Sequence, residues 1–170
     1  MSNMIKTPEQ ALTIDTKTPY KNLRILFTTS KLPLSPLIKL VTWSKYSHIA
    51  IIINDKWVMH SDFNGVHIEP LEDLLGRSKT YMIAEYECID SQAMIDEGIK
   101  LLGRPYDYGA LIGILIRRIE LQDDSKYVCS EFPAALAEFT NQSFFCTDYL
   151  HRITPQHWLM LPHIVLEIKQ

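Results

Sequence analysis

Apolar positions along this chain recur with two different periods, and the changes of period mark out its elements. Leu23-Arg24-Ile25-Leu26-Phe27-Thr28-Thr29 reads as a first strand, and a short helix is predicted from Pro36 to about Trp43. Ser47-His48-Ile49-Ala50-Ile51-Ile52-Ile53 is a β-branched run, predicted as a buried strand with a histidine at its entrance. Asn54-Asp55 makes a turn, and Trp57-Val58-Met59-His60-Ser61 returns as the second strand of a hairpin. A turn over Asp62–Gly65 leads to a short strand, Gly65 to Glu69, then a helical turn at Leu71–Leu75 and a strand from Thr80 to Tyr86. Asp90/Ser91 caps a helix ending at Gly103, with Met94, Ile95, Ile99 and Leu102 on its inner face. A second helix is predicted from Tyr108 to Ile119, then a loop at Gln122–Ser125 and a helix beginning near Cys129. Residues 145–160 read as loop and short helix, and His163–Ile168 as a closing strand. Helices packed on a mainly antiparallel sheet make this an α+β fold. Residues 1–20 read as a loosely ordered arm and residues 21–170 as a single domain.

The candidate chemistry lies on two of these elements. Pro133 is tolerated only in the first turn of its helix, so the helix cannot begin much before Cys129. A thiol there meets the positive end of the helix dipole, which favours thiolate, the nucleophilic form. On the hairpin, a turn centred on residues 54 and 55 places His48 near Ser61 and His60 near Ile49. The imidazoles come close but on opposite faces; a bulge or a longer turn would bring them to one face. Two histidines within reach of a helix-terminal cysteine suit a catalytic base and its orienting partner. Glu131 reads as a favourable first-turn charge. His67, His151, His157 and His163 read as isolated, and Cys88 and Cys146 as inert.

Lys45-Tyr46-Ser47-His48-Ile49-Ala50-Ile51, Val58-Met59-His60, Gly65-Val66-His67-Ile68-Glu69-Pro70-Leu71, Gly103-Arg104-Pro105-Tyr106-Asp107-Tyr108 and Tyr127-Val128-Cys129-Ser130-Glu131 occur in that order. The set resembles the circularly permuted branch of the NlpC/P60 papain-like superfamily, which includes YiiX/YaeF-like proteins, poxvirus relatives and lecithin:retinol acyltransferase-type enzymes. The resemblance implies a permuted papain-like fold with Cys129 as nucleophile, His48 as general base and His60 as the third polar residue. In unpermuted members the cysteine comes first; here His48 precedes Cys129. It also implies Tyr106, Tyr108 and Ser130 as residues bordering the substrate, although a tyrosine packing its ring in the core accounts for Tyr106 and Tyr108 equally well.

Composition narrows the function classes. With 46% hydrophobic and 22% charged residues the chain is ordinary for a globular domain, and a net charge of −3 excludes the basic footprint of nucleic-acid binding. Three cysteines, Cys88, Cys129 and Cys146, form no disulfide framework or zinc knuckle and suit a reducing compartment. The N-terminus lacks the apolar stretch of a signal peptide, and Ala110–Ile116 is too short to span a bilayer and reads as a core helix, so membrane contact is not favoured. The expected protein is made in the cytosol, with a phage or exported-effector origin compatible. Its expected activity is thiol-dependent hydrolysis of an amide bond in a peptide or peptidoglycan fragment, without a cofactor. The competing readings are a lipid acyltransferase or thioesterase acting on an acyl substrate, a non-catalytic ligand-binding module, and a zinc site built from Cys129, His48 and His60.

Overall fold

The computed structural model describes residues 4–30, 39–40, 42–105 and 128–169. In chain order the elements are α1 (Pro8–Ala11), β1 (Leu23–Ser30), β2 (His48–Ile52), β3 (Trp57–Asp62), β4 (Gly65–Pro70), α2 (Leu71–Arg77), β5 (Ser78–Tyr86), α3 (Ser91–Lys100), α4 (Glu131–Phe139), a 3₁₀ segment (Thr147–Arg152), α5 (Pro155–Met160) and β6 (Ile164–Lys169). The strands form one six-stranded sheet in the order β4-β3-β2-β1-β5-β6, with every neighbouring pair antiparallel. This is the α+β arrangement that the alternation predicts. Most of the predicted helix from Pro36, the helix from Tyr108 and the loop at Gln122–Ser125 lie outside the described residues, as do Tyr106 and Tyr108.

Alternation along β2 and β3 sorts side chains onto two faces. Ile49, Ile51 and Met59 join Ile25, Phe27 and Ile68 on a face covered by α3 and α4, through Met94, Ile95, Phe132 and Leu136. Ala50, Ile52 and Val58 join Leu26 on the other face, covered by Leu74 of α2. A Cβ at Gly98 would stand 2.4 Å from the Met59 side chain and 3.1 Å from Leu136, so the glycine lets α3 lie close upon β3.

The hairpin turn departs from the two-residue form expected at Asn54-Asp55. Met59 stands opposite Ile51 and Val58 opposite Ile52, one residue out of the predicted register. The cause is the Asn54 side chain, whose Oδ1 accepts the N–H groups of Lys56 and Trp57 and stabilises a longer loop. With Met59 opposite Ile51, alternation puts His60 on the face that carries Ala50 and His48, where the two imidazoles meet.

Residues 4–20 are not a loose arm. Ile5 exchanges both backbone hydrogen bonds with Ile68, Ile5 and Ala11 are buried, and α1 is closed by a capping box between Thr7 and Gln10. The Asn54 amide donates to the carbonyls of Asp15 and Lys17, which ties this segment to the turn of the β2–β3 hairpin. Apolar Ile5 and Ala11 in a polar-looking stretch supply the anchorage.

Candidate active site

The site begins with strand pairing. In the β3–β4 hairpin His60 stands opposite His67, Val58 opposite Glu69 and Asp62 opposite Gly65. His60, Asp62, His67 and Glu69 therefore share the face that also carries His48. Gly65 has φ +82°, and a Cβ there would lie 2.4 Å from the Arg104 carbonyl oxygen, so the turn requires glycine.

On this face a chain of hydrogen bonds runs inward. His48 Nε2 lies 2.9 Å from His60 Nδ1, and His60 Nε2 lies 2.7 Å from Glu69 Oε1. Arg77, projected from α2, grips Glu69 with both guanidinium arms: Nη1 donates to Oε2 at 2.7 Å and Nη2 donates to Oε1. Glu69 and His60 are sealed from solvent. Although burial opposes its charge, bonds from His60 and Arg77 hold the Glu69 carboxyl down at about 2.

An ionised Glu69 accepts hydrogen bonds and cannot donate, so His60 must carry its proton on Nε2. With a neutral His60, Nδ1 is a lone pair and accepts the His48 Nε2–H. That leaves His48 Nδ1 unprotonated, and among the described residues it makes no hydrogen bond. The tautomers are thus assigned by the network, and they present a base at His48 Nδ1. Burial above all holds the His48 imidazole far below its usual range, which keeps it neutral.

Cys129 meets β2 at Ile49, the residue that follows His48. The β2–β3 pairs run from Ile52 and Val58 to Ile51 and Met59, and the Ile49 N–H favours the Cys129 anion. The thiol is buried, in a turn just before Ser130, the N-cap of α4. Its backbone is clamped: Ser130 Oγ donates to the Ile153 carbonyl at 2.6 Å, Trp158 Nε1 donates to the Ser130 carbonyl at 2.9 Å, and Phe132 N–H donates to the Val128 carbonyl at 3.1 Å. Glu131, the first-turn charge of α4, is buried with its carboxylate near the Val128 N–H.

The helix starts at Glu131, so Cys129 stands outside its first turn, and the expected stabilised thiolate is not what the environment favours. Removal from water pushes the thiol up to about 11, outweighing the N–H groups of Ile49 and Ser130 that favour the anion. The resting pair is a neutral thiol beside a neutral imidazole. Iodoacetamide should accordingly label exposed Cys146 before Cys129 at pH 7, and Cys129 labelling should accelerate as pH climbs past 8. Peptide mapping of the alkylated chain reads both rates. Faster labelling of Cys129 than of Cys146 near pH 6–7 would show a resting thiolate and defeat the burial argument.

The structure therefore joins His48 and His60 directly, sets Cys129 against the backbone beside His48, and uses the Ser130 hydroxyl as a tie to Ile153. Sequence reasoning missed Glu69, Arg77 and the proximity of His67. Their signal was present: alternation puts His67 and Glu69 on one face of a strand whose turn sets it beside His60. His67 is buried with its ring 4.3 Å from that of His60; Nδ1–H donates to the Gly65 carbonyl at 2.9 Å. Donor atoms of His60, Asp62 and His67 lie within 4.8 Å of one another, the one group among the described residues arranged to hold a metal ion.

Comparisons with known proteins identify relatives of this chain. The family described as "Permuted papain-like amidase enzyme, YaeF/YiiX, C92 family" matches residues 24–136. Among solved structures, the chain is similar to the metalloprotein YiiX from Escherichia coli O157:H7, with a TM-score of 0.62 and 16% identity over 91% of this chain and 99% of that one. No curated protein matches.

Proposed function

The chain belongs to the permuted papain-like amidase family of YaeF and YiiX, the C92 peptidases, and from that premise we propose that it is a cysteine amidase cleaving a peptide or peptidoglycan stem peptide. The observation that carries the reading is the hydrogen-bond chain from Arg77 through Glu69 and His60 to His48, which leaves a lone pair on His48 Nδ1.

In this mechanism Cys129 Sγ attacks the substrate carbonyl carbon as His48 Nδ1 takes the thiol proton. The oxyanion is stabilised by the Cys129 N–H and a neighbouring donor at the start of α4. Collapse breaks the C–N bond; His48 gives its proton to the departing amine and a thioester remains on Cys129. Water then attacks the thioester, its proton passing to His48 and on to the leaving thiolate. His60 carries no proton away. It holds the His48 ring and tautomer, and Glu69 with Arg77 holds His60. No helix among the described residues is long and apolar enough to cross a membrane.

Incubation with purified muropeptides, short peptide amides and acyl esters, read by mass spectrometry, separates the alternatives. Release of an amine with addition of one water, and a trapped acyl adduct on the Cys129 peptide, is the expected result. Turnover of esters or phospholipids alone would replace the amidase reading with a lipid acyltransferase or thioesterase of the same fold.

A further inference from the structure

We propose that His60, Asp62 and His67 form a binding site for a borderline divalent cation of the zinc class, and that its occupancy and the use of His48 as a base exclude each other. The site stands on its donor atoms; the exclusion rests on the reading of His48 as the base.

His67 supplies the first reason. It is sealed from solvent, its Nδ1–H is donated to the Gly65 carbonyl, and its Nε2 lone pair has no hydrogen-bond partner among the described residues. A buried acceptor left unpaired costs about 1–3 kcal/mol in general, and such atoms mark places where a ligand belongs. The second reason is His60, whose Nε2–H is donated to Glu69. Both imidazoles thus give one N–H to an oxygen acceptor and keep the other nitrogen as a lone pair, the support that metal-ligating histidines have. Asp62 adds an anionic oxygen, and with its side chain 23% exposed it opens the site to solvent. Two nitrogens and a carboxylate oxygen suit zinc, whose bonds of roughly 2 Å require the cluster to close by about an ångström.

The conflict follows from atoms already placed. The lone pair that His60 can offer a cation is on Nδ1, the atom that accepts the His48 Nε2–H. One lone pair cannot serve both. A bound cation frees His48 to turn and to change tautomer, so it acts on the hydrolase as an inhibitor.

Metal-stripped protein equilibrated with Zn²⁺ by dialysis should hold one ion per chain, and His67→Leu and Asp62→Asn should each weaken that binding about tenfold or more. Circular dichroism establishes that both variants fold. Co²⁺ in place of zinc should give visible bands from nitrogen and oxygen ligands that His67→Leu lacks. Equal uptake by wild type and both variants, or a sulfur-to-cobalt charge-transfer band placing Cys129 among the ligands, would overturn the site. The exclusion is read without substrate: the downfield imidazole N–H resonance of the His48–His60 bond should vanish when zinc binds and return with EDTA. Turnover should stop and recover in step. A resonance that survives saturating zinc would overturn the exclusion, whatever the substrate proves to be.

Discussion

Cys129→Ala is expected to abolish amide cleavage, with kcat lowered by roughly 10⁵-fold or more, while the chain folds almost normally. The substitution removes one buried sulfur, a cost of about 1 kcal/mol in a well-packed turn, and every bond that clamps the turn comes from other atoms. His48→Ala should lower kcat by about 10²–10⁴, the range for loss of a general base. Groups that act as one unit do not add, so the double variant should be no slower than Cys129→Ala alone. His60→Ala should fall between wild type and His48→Ala, and His60→Gln should retain part of the activity because it can still accept the His48 proton. Steady-state kinetics with melting curves on all five proteins check the set. A double variant much slower than either single variant would mean that the two residues work independently and would remove the acyl-enzyme scheme.

Glu69→Gln is the second large effect, and it acts on stability as well as turnover. Both carboxylate oxygens accept hydrogen bonds, and the side chain is fully buried. Glutamine fills the same space but turns an NH₂ group toward a donor, so His60 or Arg77 loses its acceptor. The carboxyl is held at about 2 against an ordinary 4.5, and a difference of this size corresponds to ~3 kcal/mol. For a chain this long that is about 10 °C in Tm. The sign of the pH dependence is fixed by the direction of the shift. A depressed carboxyl contributes its full stabilisation above pH 4.5 and loses it as pH falls toward 2. The gap in Tm between wild type and Glu69→Gln should therefore be widest near neutrality and close between pH 4.5 and 2. A gap independent of pH would assign the loss to packing and remove the ion pair from the account.

Much of the fold was legible because its strands are short, β-branched and separated by turn residues. The order of elements from Leu23 to Lys100 follows the alternation directly. The side-chain partnerships were harder to read, and the hairpin turn shows why. A single residue of loop length decides whether His48 and His60 share a face, and that length is set by the Asn54 side chain bonding to Lys56 and Trp57. Turn chemistry of this kind involves an exact rotamer, which periodicity does not encode. The thiol failed for another reason. The helix dipole is a local property that sequence can suggest, whereas burial of Cys129 depends on Ile49, Ile153 and Trp158 arriving from distant segments. Glu69 could have been found by carrying strand pairing one hairpin further. Arg77 could not, since its reach depends on how α2 docks.

The chain order of these groups has a consequence during synthesis. His48, His60, Glu69 and Arg77 lie on three consecutive strands and the helix that follows, and each bond among them joins neighbours in that run. Cys129 comes later, and the residues that clamp its turn, Ile153 and Trp158, come later still. A chain leaving the ribosome N-terminus first therefore carries the proposed base before the proposed nucleophile exists, and the nucleophile before its anchor does. No nascent or truncated fragment that ends before α5 can hold the complete site. In this order the proposed thiol and base stay without their common frame until α5 has been made.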